Sequence, residues 1–212
     1  MGLHAVVFDY GIVLSGPANA EAHAALVRLT GLTPERFEEI YWRPDRQAYD
    51  QGILNGVTYW QKFFREAGLP FDSTVIEKLN YWDARLWGDK NEVMVAWHEK
   101  VKQRGLRTAI LSNMGDVICA HILKEHAWIQ RFDVLLWSFE LDLVKPDPAI
   151  YRILLERLAI PPAEVLFIDD KIANIEAARA LGIQALLYTS VEQLRADLIA
   201  AGLDGELSLP GC

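Results

Sequence analysis

The chain alternates short apolar runs, rich in β-branched residues, with longer amphipathic stretches, and this alternation limits its possible folds more than any other sequence feature. Continuous apolar runs are typical of strands buried on both faces, and amphipathic helices between them supply the cover. The pattern therefore predicts an α/β fold with a doubly wound parallel sheet. The predicted strands are Ala5–Phe8, Thr108–Leu111, Val134–Trp137, Val165–Ile168 and Gln184–Tyr188. The helices predicted between and after the later strands are Val117–His126, Ala149–Leu158, Ile172–Leu181 and Val191–Ala201.

The long interval between the first two predicted strands contains helical patterns and no convincing strand. Its predicted helices are Ala20–Leu29, Pro34–Tyr41, Thr58–Ala67, Thr74–Leu86 and Asn91–Gln103. We therefore expect an all-helical domain at residues 17–88, inserted after the first strand, and an α/β core formed by residues 1–16 and 89–212. The insert tryptophans are interpreted mainly as packing residues of this bundle rather than as substrate-stacking residues, with the alternative that one of them faces the cleft. They are Trp42, Trp60, Trp82 and Trp87.

Composition and charge narrow the class of protein. With 51% hydrophobic and 24% charged residues, the chain can form a sizeable core. A net charge of −8 disfavours nucleic acids and anionic membranes as partners. The longest uncharged stretch, Ala180–Val191, is shorter than the roughly 18 apolar residues that span a bilayer. Because the first residues lack an export signal, and Cys119 and Cys212 cannot form a disulfide framework, we expect a cytoplasmic protein. The sequence leaves its oligomeric state open.

Acidic residues follow two of the predicted strands. Asp9 comes directly after the first strand, and Asp169 and Asp170 come directly after the fourth. A single aspartate in such a place is often only the cap of the next helix. Three carboxylates that crowd together need a proton or a cation to be tolerated, and oxygen ligands of this kind suit Mg²⁺.

Other strand ends carry groups that can bind an anion. Ser112 and Asn113 lie between the second strand and the helix that follows, where a hydroxyl and backbone N–H groups can face a phosphate. Lys145 precedes Pro146 and Asp147, and it would be the one cation beside the carboxylates. Ligands of open α/β sheets bind at this edge, so these residues predict a phosphate site.

This ordered set of Asp, Ser, Lys and Asp-Asp resembles the haloacid dehalogenase superfamily of aspartyl-nucleophile hydrolases. The matching phrases span nearly the whole chain and run Val7-Phe8-Asp9-Tyr10-Gly11-Ile12-Val13-Leu14, Leu111-Ser112-Asn113, Val144-Lys145-Pro146-Asp147-Pro148 and Leu166-Phe167-Ile168-Asp169-Asp170-Lys171 with Asn174. The helical insert, with its Tyr49-Asp50-Gln51-Gly52 phrase, is similar to the cap of one branch. That branch includes the phosphatase domain of soluble epoxide hydrolases and bacterial sugar-1-phosphate phosphatases. The resemblance implies a sheet with the strand order five, four, one, two, three.

The resemblance also implies a role for each matching residue. Asp9 would be the catalytic nucleophile, and Asp9, the Gly11 carbonyl and Asp170 would bind Mg²⁺. Lys145 would share in both catalysis and phosphate binding. The phosphate would also be held by Ser112 and Asn113, while Asp169 and Asn174 would support the metal and phosphate ligands. The implied activity is Mg²⁺-dependent hydrolysis of a small phosphorylated metabolite through an aspartyl-phosphate intermediate.

Gly11 departs from the pattern of most phosphatases in the superfamily, which carry a second aspartate there as general acid and base. Such a group usually contributes about 10²–10⁴-fold to the rate. Slow turnover, an acid supplied by the cap, and a non-catalytic protein that senses a metabolite or binds another protein all stay open. A metal-independent 2-haloacid dehalogenase is a further alternative, although Asp170 favours metal chemistry. The side chains singled out as candidates for substrate contact are His23, Arg43, Arg46 and Tyr49, although residues of each kind are more often solvated or packing residues.

Overall fold

The computed structural model describes residues 2–210, so Cys212 lies outside the described residues. Within them, a parallel sheet has the strand order β3-β2-β1-β4-β5. This is the predicted order, and it confirms the doubly wound α/β fold. The strands are β1 (Ala5–Phe8), β2 (Arg107–Ser112), β3 (Val134–Trp137), β4 (Val165–Asp169) and β5 (Gln184–Leu187).

The first strand occupies the centre of the sheet. All four residues of β1 are buried, and Ala5 lies opposite both Arg107 of β2 and Val165 of β4. A strand with two neighbours and a helical layer on each face has no polar side, which explains its uninterrupted apolar sequence.

Helices fill the interval between β1 and β2, as the sequence predicts. They are α1 (Ala20–Thr30), α2 (Pro34–Tyr41), α3 (Pro44–Asp50), α4 (Gly56–Ala67), α5 (Ile76–Leu86) and α6 (Glu92–Gln103). The helix α3 is absent from the sequence prediction, which treats Pro44 as a separator. In the structure Pro44 is the first helical residue, a position that tolerates proline because its N–H has no partner within the helix.

The remaining helices alternate with the later strands. They are α7 (Asp116–Glu125), α8 (Pro148–Leu158), α9 (Ile172–Ala180), α10 (Val191–Ala200) and α11 (Asp204–Leu207). Asp147 caps α8 by accepting the N–H of Ala149 at 2.8 Å, and Pro148 takes the first helical position. No helix among residues 2–210 combines the length and apolar character required to cross a membrane.

Two hydrophobic clusters cover the two faces of the sheet. On one face Val6 and Phe8 join a cluster that continues without a break into the helices between β1 and β2. On the other face Ala5 and Val7 pack with residues of α8 and α9, among them Leu154. Because one cluster spans the sheet and the inserted helices, the insert is packed firmly beside the sheet rather than tethered to it.

The insert tryptophans divide between packing and cavity positions. Trp60 is fully buried, as predicted, and Trp82 and Trp87 are half-buried against the same cluster. Trp42 differs because 52% of its surface is exposed. Trp42 and Trp87 both line the large cavity described below, so the packing interpretation is wrong for Trp42 and incomplete for Trp87.

Candidate active site

Acidic side chains meet at the carboxyl edge of the sheet because β1 and β4 are neighbours. Asp9 follows β1, and its backbone N–H donates to the carbonyl of Ile168 at 2.9 Å. The strand β4 ends in Asp169, and Asp170 comes next. A carboxylate oxygen from each of Asp9, Asp169 and Asp170 lies within 4.8 Å of the other two. The fold thus brings Asp9 next to two adjacent carboxylates that lie about 160 positions later in the sequence.

Lys145 lies among these carboxylates. Its ammonium is 2.9 Å from an Asp9 oxygen and 2.6 Å from an Asp169 oxygen, and it donates to the carbonyl of Leu111 at 2.8 Å. The side chain is 1% exposed. Asn113 fixes the loop that carries it, because its amide donates to the Lys145 carbonyl at 2.9 Å and its side-chain oxygen accepts the Lys145 N–H at 2.8 Å. Hydrogen bonds therefore fix both the backbone and the ammonium of Lys145.

Asp169 accepts hydrogen bonds on both carboxylate oxygens. Asn174 donates to the two oxygens at 2.9 and 3.0 Å, Lys145 donates to Oδ2, and the backbone N–H of Lys171 donates to Oδ1 at 2.8 Å. The hydroxyl of Tyr151 in turn donates to the Asn174 carbonyl at 3.0 Å. Since its oxygens are already engaged, Asp169 is better placed to orient Lys145 than to contact a bound molecule.

Crowding and burial shift the ionisation of these groups. Burial raises the pKa of Asp9 to about 7; the Lys145 ammonium opposes this rise, and Asp169 and Asp170 add to it. Burial also raises the pKa of Asp170, with a further contribution from Asp169. Burial would lower the pKa of Lys145, but the Asp169 and Asp9 carboxylates outweigh it and hold this pKa above the ordinary lysine value. One ammonium thus faces three carboxylates, and the cluster favours a further positive charge.

The oxygen atoms at this edge fit a hard divalent cation. Asp9 and Asp170 supply carboxylates, which Mg²⁺ prefers, and no sulfur or imidazole ligand joins the group among the described residues. The Gly11 carbonyl accepts the N–H of Val13 at 2.6 Å, which leaves its second lone pair for a ligand. The residues present therefore suit the magnesium ion that the sequence predicts.

A cavity of about 670 Å³ opens above the cluster. Its volume falls within the range of about 300–1,000 Å³ typical of small-molecule sites. Asp169 is fully buried behind its wall. The other residues that the sequence predicts for the site all line it, namely Asp9, Gly11, Ser112, Asn113, Lys145, Asp170 and Asn174.

Gly11 leaves space in the wall beside the carboxylates. A Cβ built on Gly11 would meet no described atom within 4 Å, and Gly11 is not among the glycines with a positive φ. The residue that does adopt the left-handed region in this turn is Ile12, with φ of 62°. A side chain at position 11 is therefore sterically permitted, and glycine is not required there by backbone geometry.

The helix α3 and its neighbours form the opposite wall of the cavity. Arg43 and Arg46, singled out from the sequence, line it, and so does Asp50. The other two side chains singled out for substrate contact, His23 and Tyr49, do not line it. His23 instead lies 2.6 Å from Glu38, and Tyr49 is buried against Gly115.

Asp50 belongs to the Tyr49-Asp50-Gln51-Gly52 phrase, but no sequence pattern assigned it a role. The signal that could have found it is its spacing of four residues from Arg46, which predicts an ion pair on one face of a helix. That reading needed α3 to be recognised as a helix.

Arg46 connects Asp50 to a buried polar network inside the insert. Its Nε lies 3.2 Å from an Asp50 oxygen, and its Nη1 lies 3.1 Å from an Asp83 oxygen. The hydroxyl of Tyr41 donates to the same Asp83 oxygen at 2.5 Å, and the guanidinium lies 4.6 Å from the centre of the Tyr41 ring. This network gives the Asp50 side chain a fixed orientation.

The C-terminal end of α3 is anchored to the α/β core. The Ser138 hydroxyl, just after β3, donates to the Asp50 carbonyl. The Gln51 side-chain amide donates at 2.7 Å to the backbone carbonyl of Asp142, in the loop between β3 and α8. A Cβ at Gly115 would overlap the ring of Tyr49. Glycine at that position allows α3 to approach the start of α7 closely.

The chain matches the protein-family model of haloacid dehalogenase-like hydrolases over residues 5–182. Phosphatase MT3486 of Mycobacterium tuberculosis is 28% identical over 211 residues, which cover 92% of this chain and 91% of that protein. Bifunctional epoxide hydrolase 2 of Sus scrofa is 26% identical over 215 residues, which cover 91% of this chain and 37% of that protein. The matches also include (S)-2-haloacid dehalogenase 1 of Pseudomonas sp., 28% identical over 116 residues, covering 49% of this chain and 51% of that protein.

Solved structures agree with the fold. An HAD family enzyme of Bacteroides thetaiotaomicron, crystallised with magnesium and inorganic phosphate, superposes with a TM-score of 0.73 at 17% identity. The superposition covers 91% of this chain and 99% of that one. At this level of identity the likeness bears on the α/β fold with its helical insert.

Proposed function

Because this chain belongs to the haloacid dehalogenase-like hydrolases, we propose that it is a Mg²⁺-dependent phosphatase that acts on a small phosphorylated metabolite. The observation that carries the proposal is the pairing of Asp9 with Asp170 at one edge of the sheet, with the Lys145 ammonium beside them. With Asp170 the cluster carries an excess of negative charge, which suits a bound cation that can in turn hold a phosphate. The full-length similarity to a mycobacterial phosphatase supports the same assignment.

Mg²⁺ would be held by Asp9, Asp170 and the Gly11 carbonyl. When bound, it would neutralise the carboxylates and polarise a phosphoryl oxygen. The fit of the donor set, which is made only of hard oxygen atoms, supports this arrangement.

Residues of the chain attack the phosphoryl group, neutralise its charge and donate hydrogen bonds to it. An Asp9 carboxylate oxygen attacks phosphorus, and an aspartyl-phosphate forms. Lys145, held 2.9 Å from Asp9, neutralises charge between the nucleophile and the phosphoryl oxygens, and Ser112 with the Asn113 backbone donates hydrogen bonds to those oxygens. Asp169 and Asn174 keep the Lys145 ammonium in position.

A 2-haloacid dehalogenase is the second candidate, because dehalogenases are among the relatives of this chain. In that reaction the Asp9 carboxylate would attack carbon and release a halide without a metal. The Asp170 carboxylate counts against it, since a metal-independent reaction has no need for a second charged group beside the nucleophile.

Phosphate release from a panel of aryl, sugar and alkyl phosphates tests the proposal. We expect turnover with Mg²⁺ that is lost with EDTA and in Asp9→Asn. Asp204→Asn changes an exposed aspartate that does not line the cavity, so it leaves turnover intact. Activity that persists without metal or without Asp9 would contradict the mechanism. Chloride release from 2-chloropropionate in the absence of phosphatase activity would favour the dehalogenase, and silence on the whole panel would favour a non-catalytic protein.

We also propose a cytoplasmic location. Cys119 forms no disulfide among the described residues, and burial raises the pKa of its thiol to about 12. A cysteine that stays a free thiol fits a reducing compartment.

A further inference from the structure

One step of the proposed reaction has no residue assigned to it. When the phosphoryl group is transferred from a substrate oxygen to Asp9, the leaving oxygen needs a proton unless it is a weak base, as in p-nitrophenolate. Gly11 offers no side chain for this purpose, and the space beside it is open. The proton donor must therefore come from another part of the cavity wall.

Among the described residues, three carboxyl groups line the cavity: Asp9, Asp50 and Asp170. The proposed function already uses Asp9 as nucleophile and Asp170 as metal ligand. We propose, resting on that function, that Asp50 of the helical insert is the catalytic acid that protonates the leaving oxygen and the base that later activates water.

The position of Asp50 supports this role. It is the last residue of α3, on the wall of the cavity opposite the sheet, where the non-phosphate part of a substrate must lie. The Ser138 hydroxyl fixes its backbone carbonyl, and Arg46 fixes its carboxyl group. Asp50 is thus held by both the insert and the core.

The surroundings of Asp50 allow it to carry a proton. Its side chain is only 17% exposed, and burial raises its pKa above the ordinary aspartate value. The charged groups that face it are Arg46 from the same helix, Asp83 from α5 and Lys171 from the loop before α9. Arg46 and Lys171 lower the pKa, Asp83 raises it, and the net direction is upward.

Other proton-bearing groups of the cavity are less suited to the task. Arg46 lines it, but its pKa stays well above the ordinary arginine value, so it does not release a proton. The Tyr10 hydroxyl donates to the Trp87 carbonyl at 3.2 Å, and burial raises its pKa as well. Lys145 is committed to its carboxylate partners.

The two half-reactions balance with Asp50 as the only group that gives and takes a proton. In the first, the Asp9 carboxylate forms a bond to phosphorus, the bond from phosphorus to the substrate oxygen breaks, and that oxygen takes the Asp50 proton and leaves as an alcohol. In the second, water attacks phosphorus and gives a proton to the Asp50 carboxylate. The bond from phosphorus to Asp9 breaks, inorganic phosphate leaves, and both aspartates return to their initial states.

The test compares Asp50→Asn with the wild type on phosphate monoesters whose leaving groups range from p-nitrophenol to simple alcohols. Asparagine keeps an oxygen for Arg46 and removes the proton. We expect kcat on alkyl phosphates to fall by about 10²–10³-fold and kcat on p-nitrophenyl phosphate by about tenfold or less. Asp45→Asn, a half-exposed aspartate on α3 paired with Lys62, is the matched control and keeps both rates.

A rescue experiment separates chemistry from structure. Because position 11 has room for a side chain, Gly11→Asp in the Asp50→Asn background supplies a carboxyl from the other wall, and we expect alkyl-phosphate turnover to recover by at least about tenfold. Equal losses on both substrate types would show a structural role and overturn the assignment, as would unchanged kinetics. Wild-type protein that releases phosphate from none of these monoesters would overturn the proposed function itself, and the role of Asp50 with it.

Discussion

At the scale of single residues, the site depends on Lys145. Its ammonium contacts oxygens of Asp9, Asp169 and Leu111 in a place with almost no solvent. A buried charge of this kind adds little net stability when all partners are present, but its removal leaves the opposite charges unpaired. The same contact that positions Lys145 for phosphate also makes the site sensitive to its loss.

We predict that Lys145→Met lowers the free energy of unfolding by about 3–5 kcal/mol, because the buried carboxylates lose their partner. Lys102→Met is the comparison, since Lys102 forms a partly exposed pair with Asp133 at 2.7 Å and should cost no more than about 1 kcal/mol. Urea denaturation of the two variants measures the difference. Similar losses in both would contradict the interpretation of Lys145 as the neutralising charge of the cluster.

For Asp170→Asn we predict stability and activity to move in opposite directions. Removal of one charge relieves repulsion with Asp169, so the melting temperature in EDTA should rise by about 2–4 °C, equivalent to roughly 1 kcal/mol. The variant should lose both Mg²⁺-dependent turnover and the thermal stabilisation that added Mg²⁺ gives the wild type. A variant that Mg²⁺ stabilises as much as the wild type would remove Asp170 from the metal site.

At the scale of elements, α3 shows what the sequence could and could not predict. Its composition is polar and it begins with Pro44, so its short periodic pattern is hidden between two turns. The strand ends were predictable because apolar runs define them locally, and Asp9, Ser112 and Asp170 follow directly. The place of Asp50 was not, since it depends on how α3 packs against loops far away in the sequence.

The contact between α3 and the core yields a stability prediction. In Gly115→Ala the new methyl group would overlap the Tyr49 ring, so α3 must shift, and we expect a loss of about 1–3 kcal/mol. Gly205→Ala, where a Cβ would meet nothing within 4 Å, is the matched control. Urea denaturation reports stability, and phosphatase assays report whether α3 still forms the cavity. Equal stability of the two variants would show that the Tyr49 ring moves away from the added methyl group without a cost in stability.

At the scale of the whole molecule, the sheet order was predictable only through the resemblance to a known superfamily. Period and composition indicate five strands and their covering helices, but they do not state which strands are neighbours. The pairing of β1 with β4 joins residues about 160 positions apart, such as Ala5 and Val165. The cluster of Asp9 with Asp170 therefore follows from topology rather than from any local signal.

Acid stability is a property of the whole fold, and we predict that His98 contributes to it. Its ring is fully buried and stacked on Phe132, and burial lowers its pKa to about 4. Because the folded pKa lies below the unfolded value, the unfolded state takes up the proton first, and the stability from neutral His98 is lost as the pH falls from about 6.5 to 4.

The measurement is the difference in unfolding free energy between the wild type and His98→Gln at pH 7 and at pH 5. We expect the wild-type advantage to shrink by about 2 kcal/mol at the lower pH, since about 1.4 kcal/mol corresponds to each pKa unit. His4→Gln serves as the control because the His4 side chain is 65% exposed. A constant difference across this range would show that folding leaves the pKa of His98 at its unfolded value, and an advantage that grows at pH 5 would show that folding raises it.

The central position of β1 has a consequence for how the protein is made. On a ribosome that adds about 5–20 residues per second, β1 is complete roughly 5–20 s before β2 and roughly 8–30 s before β4. During that delay its apolar residues have no strand to pair with, whereas α1 to α5 can already pack on one another because they are close in sequence. The nascent chain thus passes through a stage in which helices of the insert can already meet while the future centre of the sheet is a bare apolar segment, the kind of segment that chaperones bind.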